Sequence, residues 1–126
     1  RHHIGIPRRL PHEFHDHVEG LVRMMDQQIL CSDRSEVIAV EAIEGTDEMI
    51  ERAGHLCKSG GWTLIKTAKP NQDMRFDVPT IGPGTIENLK RNKGRCLIVE
   101  AGKTLIVDMP ETLKLADKYK IAVVGL

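Results

Sequence analysis

EVIAVEAIEGTDEMIERAGHLCKSGGWTLIKTA, residues 36–68, decides the fold. Its opening run, EVIAVEAI (36–43), is almost wholly apolar, as a strand covered on both faces must be, and this strand is expected at the centre of a sheet. TDEMIERAGHLCKS (46–59) then sets Met49, Ile50, Ala53, Leu56 and Cys57 on one stripe at helical spacing. Thr46 is the expected N-cap, and Gly60-Gly61 stops the helix. WTLIKTA (62–68) returns as a strand. Strand, helix and strand in that order predict parallel neighbours joined by a right-handed crossover.

Working outward, QILCS (28–32) lies just before Asp33-Arg34-Ser35 and predicts a hairpin with the 36–43 strand. Residues 12–26 repeat Phe14, Val18, Leu21, Val22 and Met25 at spacings of three and four, which suits a helix. RHHIGIPRRLP (1–11) has no periodicity and reads as an arm, so 1–27 is taken as linker plus N-terminal helix. Downstream, a polar segment (69–84) leads to a helix near 85–93. CLIVEA (96–101) and TLIVD (104–108) then form two close strands around Gly102-Lys103, expected as an antiparallel pair. Asp108-x-x-Glu111 with Pro110 opens a last helix to about Lys120, and IAVVGL (121–126) closes the sheet. The expected class is α/β: a layered domain with a mixed, mostly parallel sheet and helices packed on it.

Composition narrows the functions available. The 126 residues carry 18 basic and 18 acidic side chains and four aromatics, Phe14, Trp62, Phe76 and Tyr119. Zero formal net charge and few rings argue against nucleic acid as the main ligand. Cys31, Cys57 and Cys96 are odd in number and widely spaced, which suits free thiols in a reducing, cytoplasmic setting. No apolar run approaches the roughly 20 residues needed to span a bilayer. His12, His15 and His17 lack the partners of a zinc site, no Gly-x-Ser-x-Gly is present, and Gly82-Pro83-Gly84-Thr85 lacks the phosphate-loop spacing.

Ligands of open α/β sheets collect beyond the carboxyl ends of strands, where helix N-termini also point. If the 36–43 and 62–68 strands are parallel neighbours, Glu44-Gly45-Thr46-Asp47 and the loop from Lys69 to Asp77 share one rim. Charge is sorted between the two: residues 33–51 hold seven acids and one base, residues 66–95 seven bases and three acids. Carboxylates beside lysine and arginine suit a magnesium-assisted phosphate site, in which carboxylate oxygens hold a hard cation and bases neutralise phosphate. Gly45 allows a sharp turn, and the helix start at Thr46 offers amides to an anion. A plain helix cap at E-G-T-D and a solvated loop with ion pairs at 66–77 account for the same residues.

AVEAIEGTDEMIERAG (39–54), LIKTAKPNQDMRFDVPTIGPGTIE (64–87), VEAGKTLIVD (99–108) and LADKYKIAVVGL (115–126) together resemble the C-terminal domain of LpxI-type UDP-2,3-diacylglucosamine pyrophosphatases. The resemblance spans residues 28–126. It implies a Mg2+-dependent hydrolase of lipid A biosynthesis, with water attacking the α-phosphorus of UDP-2,3-diacylglucosamine to give 2,3-diacylglucosamine 1-phosphate and UMP. Asp73 and Asp77 match motif positions and by charge type suit metal binding or water activation, with Glu44 and Asp47 as further metal candidates. Lys66, Lys69, Gln72, Arg75, Gly45, Thr46, Gly82 and Thr85 also match motif positions, and by charge type or place at a helix start they suit the substrate's phosphates. The resemblance further implies an upstream N-terminal domain, a lipid-linked UDP-sugar held between the two domains, and little activity from this one alone. A homodimer, peripheral at the cytoplasmic membrane face, is the expected assembly. The non-enzymatic alternative is a module of the same fold that binds a nucleotide-sugar or phosphate passively, or serves dimerisation.

Overall fold

A computed structural model describes the backbone at residues 2–4, 29–33, 36–40, 45–67 and 79–125, and the side chains of the last two stretches. Among these residues the chain forms β1 (His2–Ile4), β2 (Ile29–Asp33), β3 (Glu36–Val40), α1 (Thr46–Leu56) and β4 (Trp62–Lys66). It continues with β5 (Thr80–Ile81), α2 (Pro83–Arg91), β6 (Gly94–Val99), β7 (Leu105–Ile106), α3 (Met109–Tyr119) and β8 (Ala122–Gly125). Six strands make one sheet in the order β1-β8-β6-β4-β2-β3, and β5 pairs with β7 in a second, two-stranded sheet. The class is α/β with a mixed sheet and helices packed on it.

One register row crosses all six strands. Val40 faces Leu30, Leu30 faces Ile65, Ile65 faces Ile98, Ile98 faces Val124 and Val124 faces His3. β4, β6 and β8 run parallel, β2 runs against them, and β3, antiparallel to β2, points the same way as β4. The co-directional strands β3, β4, β6 and β8 therefore succeed one another across the sheet without reversing. Right-handed crossovers in such a progression put every connecting helix on one face. The core follows this rule: Met49, Ile50 and Ala53 of α1, Ile86 and Leu89 of α2, and Ala116 of α3 cluster with Trp62, Leu64, Leu97, Val99 and Val123. The alternate strand residues Thr63, Ile65, Cys96, Ile98 and Val124 face the other way and are also buried.

Several expectations are corrected. Of the expected 36–43 strand the described part, Glu36–Val40, is at the sheet's edge among the described residues, because β2 folds back between it and β4. Its apolar character matches α1, which packs over β2 and β3, and an edge strand covered by a helix needs the same residues as a central one. The second antiparallel pair does not form: β7 pairs parallel with β5, as Leu105 N–H donates to Pro79 O (2.9 Å) and Val107 N–H to Ile81 O (2.9 Å). The turn after β6 diverts the chain. Lys103 N–H (3.2 Å) and Thr104 Oγ1 (3.0 Å) both donate to Glu100 O, and Gly102 adopts φ +78. His2–Ile4, inside the expected arm, pairs antiparallel with β8. The expected helix at 12–26 lies outside the described residues.

Caps differ as well. Gly45, at φ +91, is the N-cap of α1, and Thr46 is its first helical residue, with no side-chain cap. Asp108 precedes α3 in the left-handed region and likewise makes no side-chain cap, so the Asp108-x-x-Glu111 box is not formed. Instead Thr112 Oγ1 ties the first turn to Val107 O at 2.7 Å. On the α1 stripe Met49, Ile50, Ala53 and Cys57 are buried, whereas Leu56 is 61% exposed.

Candidate functional site at the carboxyl rim

The carboxyl ends of β4, β6 and β8 form a level edge, since Lys66 stands beside Val99 and Val99 beside Gly125. β3 ends at the same level, two strands from β4, because Val40 and Ile65 share Leu30 as register partner. The two expected segments thus leave one rim, but from strands separated by β2, roughly 10 Å apart at ordinary strand spacing. Helices that follow these strands start at this rim.

Two small clusters are built there. In the first, Asn88 on α2, 3% exposed, donates its Nδ2 to Asp47 O (3.3 Å) and Asp47 Oδ1 (3.4 Å) at the start of α1. Its Oδ1 accepts from Asn92 Nδ2 at 2.8 Å. A buried amide needs such partners, and here they lock the first turn of α1 against α2. In the second, Lys66 follows the inward alternation of Trp62 and Leu64, and its Nζ donates to Thr80 O at 2.7 Å. That bond joins the end of β4 to β5, just ahead of the α2 start. Gly82 caps α2, and the Thr85 hydroxyl accepts from the Gly82 amide at 3.2 Å. Asn88 lies one turn beyond Thr85, so α2 connects the two clusters.

The helix starts differ in what they offer an anion. At α2 the Gly82 amide is occupied by Thr85, and Pro83 has no N–H, so the Gly82-Pro83-Gly84-Thr85 segment serves chiefly as turn and cap. At α1 no side chain caps the first turn, whose amides carry the partial positive charge of a helix N-terminus. Gly45 and Thr46 stand at this helix start. Asp47 is exposed beside them. Glu44, Lys69, Gln72, Asp73, Arg75 and Asp77 lie outside the described residues. Among the described residues no three His, Cys, Asp or Glu side chains gather to hold a metal.

Sequence reasoning missed Asn88 and the closed turn at Glu100–Thr104, where Lys103 Nζ also pairs with Glu100 Oε2 at 3.3 Å. A polar residue beside Ile86 and Leu89 on the apolar stripe of α2 was the available signal for the first. Cysteine chemistry is absent from Cys96: burial pushes its thiol up to about 12, against smaller lowering effects of Thr63 and Arg95. A thiol held neutral in this way is packing material.

The LpxI C-terminal domain family matches residues 16–124, starting upstream of residue 28, where the motif resemblance begins. Over 97 residues the chain is 37% identical to UDP-2,3-diacylglucosamine pyrophosphatase LpxI of Caulobacter vibrioides, a match covering 71% of this chain and 35% of that relative. The chain thus corresponds to about a third of the relative's length. With the motifs, the mixed sheet and the family match in agreement, the chain belongs to the LpxI C-terminal domain family.

Proposed function

We propose that the chain is the C-terminal part of a Mg2+-dependent hydrolase that cleaves the diphosphate of UDP-2,3-diacylglucosamine to 2,3-diacylglucosamine 1-phosphate and UMP, in the cytoplasmic steps of lipid A biosynthesis. The observation that carries this reading is the joint one of family membership and a rim where Gly45, Thr46, Asp47 and Lys66 sit at the level ends of co-directional strands. The described part of this rim is acidic, with Asp47, Glu48, Glu100, Asp108 and Glu111 against Lys66 and Lys103. A diphosphate approaching it requires added positive charge. The exposed Asp47 carboxylate fits a hard cation by donor type, with Glu44, Asp73 and Asp77 as the other oxygen donors. Bound Mg2+ would neutralise phosphate charge and polarise the α-phosphorus.

The chain's own groups then divide the work. Lys66, Lys69 and Arg75 bind the diphosphate, the α1 amides at Gly45–Thr46 hold an oxygen, and Asp73 or Asp77 accepts the proton of the attacking water. The water oxygen forms a bond to the α-phosphorus as the bond to the bridging oxygen breaks. The bridging oxygen leaves with the sugar phosphate.

Mg2+-dependent UMP release, measured for this chain alone and joined to its upstream domain, tests the proposal. The joined protein is expected to turn over the lipid nucleotide and the chain alone to be nearly inert, since closed sites exclude water and hold both substrate ends. Inertness of the joined protein with Mg2+ overturns the substrate assignment. Nucleotide binding that survives Asp73→Ala and Asp77→Ala, without turnover, favours the passive module.

A further inference from the structure

The turn that closes β6 stands on the candidate rim, between the two points where the loop of candidate residues is anchored. Residues 100–104 follow Val99, which stands beside Lys66, and lead into Leu105, whose N–H donates to Pro79 O at 2.9 Å. The chain leaves the rim after Lys66 and is back on it at Pro79, with Lys69, Asp73, Arg75 and Asp77 in between. Each end of that segment is therefore a neighbour of one end of the turn.

The turn is closed without help from a charged side chain. Lys103 N–H donates to Glu100 O at 3.2 Å, Thr104 Oγ1 donates to the same oxygen at 3.0 Å, and Gly102 at φ +78 lets the backbone reverse. The Lys103 ammonium adds an ion pair to Glu100 Oε2 at 3.3 Å, with 57% of its side chain exposed. A pair so open to water contributes little to folding. Among the described residues no atom lies within 4 Å of where a Gly102 Cβ would stand, so the turn borders open space. Lys66, at the end of β4, is placed differently: its Nζ donates to Thr80 O at 2.7 Å and so ties two strands together. Moving that ammonium gives up a tertiary contact. The Lys103 ammonium needs only to exchange one oxyanion for another, and a diphosphate offers it the same charge-assisted bond with more negative charge behind it.

We propose that Lys103 is a further contact for the diphosphate, its ammonium passing from the Glu100 carboxylate to a phosphate oxygen when the nucleotide binds. The identity of the substrate rests on the hydrolytic reading, whereas the contact itself asks only for a nucleoside diphosphate. Lys103 then supplies, from the turn side of the rim, positive charge that the acidic residues there lack.

The test uses the protein joined to its upstream domain, with Mg2+ present, and reads two quantities: UDP affinity by calorimetry and kcat/KM for UMP release from the lipid nucleotide. Lys103→Gln is expected to weaken UDP binding and to lower kcat/KM, each about tenfold, the usual worth of one hydrogen bond to a charged group. Lys103→Arg should restore most of both, and the urea unfolding midpoint should stay unchanged in either variant. Lys103→Met, which keeps the stem and removes the charge, should match Lys103→Gln. A lowered midpoint with unchanged UDP affinity would make Lys103 a residue of the turn alone and overturn the proposal, as would the absence of UDP binding by the unsubstituted protein. The two readings fail separately. If UDP affinity falls in Lys103→Gln while the unsubstituted protein releases no UMP, the contact stands and the substrate assignment falls; if UMP is released and neither quantity moves, the contact falls and the hydrolytic reading stands.

Discussion

The two rims of this sheet are made from the same connections and do opposite things. At the carboxyl rim the helices begin, and the residues are glycine, threonine, a bridging asparagine and exposed acids. At the amino rim the helices end, and the residues are lysines and arginines above a tightly packed corner, where Trp62 Nε1 donates to Asn92 O at 3.0 Å. Trp62 itself is fully buried. One rim starts the helices and bears Asp47 and Lys66 of the candidate site, while the other ends them over the packed Trp62 corner. The lesson is that substitution at the first should change turnover with little change in stability, and substitution beneath the second the reverse.

The largest expected effect tests the first half. Asp73→Ala in the protein joined to its upstream domain should lower the rate of UMP release about a thousandfold, within the usual range for losing a proton-transfer group. Its urea unfolding midpoint should stay near that of the unsubstituted protein. If the midpoint falls along with the rate, Asp73 is a structural residue and the contrast fails at its most important point.

Beneath the amino rim, alkaline titration gives the next effect. The buried Cys96 thiol stays neutral up to about 12, whereas an exposed thiol has the ordinary value of 9.0. The folded state thus holds the proton more tightly. This contribution is complete below pH 9 and is lost as pH rises toward 12, at up to about 1.4 kcal/mol per pH unit. Cys96→Ala removes this dependence, so the difference between the two proteins' unfolding free energies should narrow across that window; a constant difference would show that Cys96 is open to solvent.

Gly94→Ala sharpens the packing side further. An added Cβ would meet Leu89 Cδ2 at 2.7 Å and Trp62 Cη2 at 3.1 Å. Leu89 and the indole are both fully buried, so the strain should cost about 1–3 kcal/mol in urea unfolding while ligand binding at the far rim is unchanged. Leu56→Ser should do least. With 61% of Leu56 exposed, a change under about 0.5 kcal/mol is expected, and a loss of several times that would place Leu56 in an apolar contact that its exposure denies.

Local signals were readable wherever one segment carried its own partner. The β2–β3 hairpin was marked by Asp33-Arg34-Ser35, α1 by its apolar stripe and Gly60-Gly61, and α3 by Pro110. Long-range pairing was not. β5 and β7 are two residues each and carry no periodicity, so nothing local says that Ile81 will stand beside Ile106 rather than that β7 will fold back on β6. Apolar content alone also does not tell an edge strand under a helix from a central one, so the 36–43 run reads as central although β3 is at the edge among the described residues. At the candidate site, residue types pointed to the right rim, but whether a group is spent on the fold was invisible. Thr85 and Gly82 satisfy one another, and Asp47 shares its carbonyl and carboxylate with Asn88. Such commitments depend on partners up to 41 residues away.

A sheet that advances in one direction has a further consequence. Nucleotide-binding crevices in open α/β sheets form where neighbouring connections part toward opposite faces, and β3, β4, β6 and β8 never part. Among the described residues their common edge is a ledge, with no such parting to wall it. Whatever roofs that ledge shapes the space above it, so the groups that break a bond and the surfaces that choose a substrate can be altered independently.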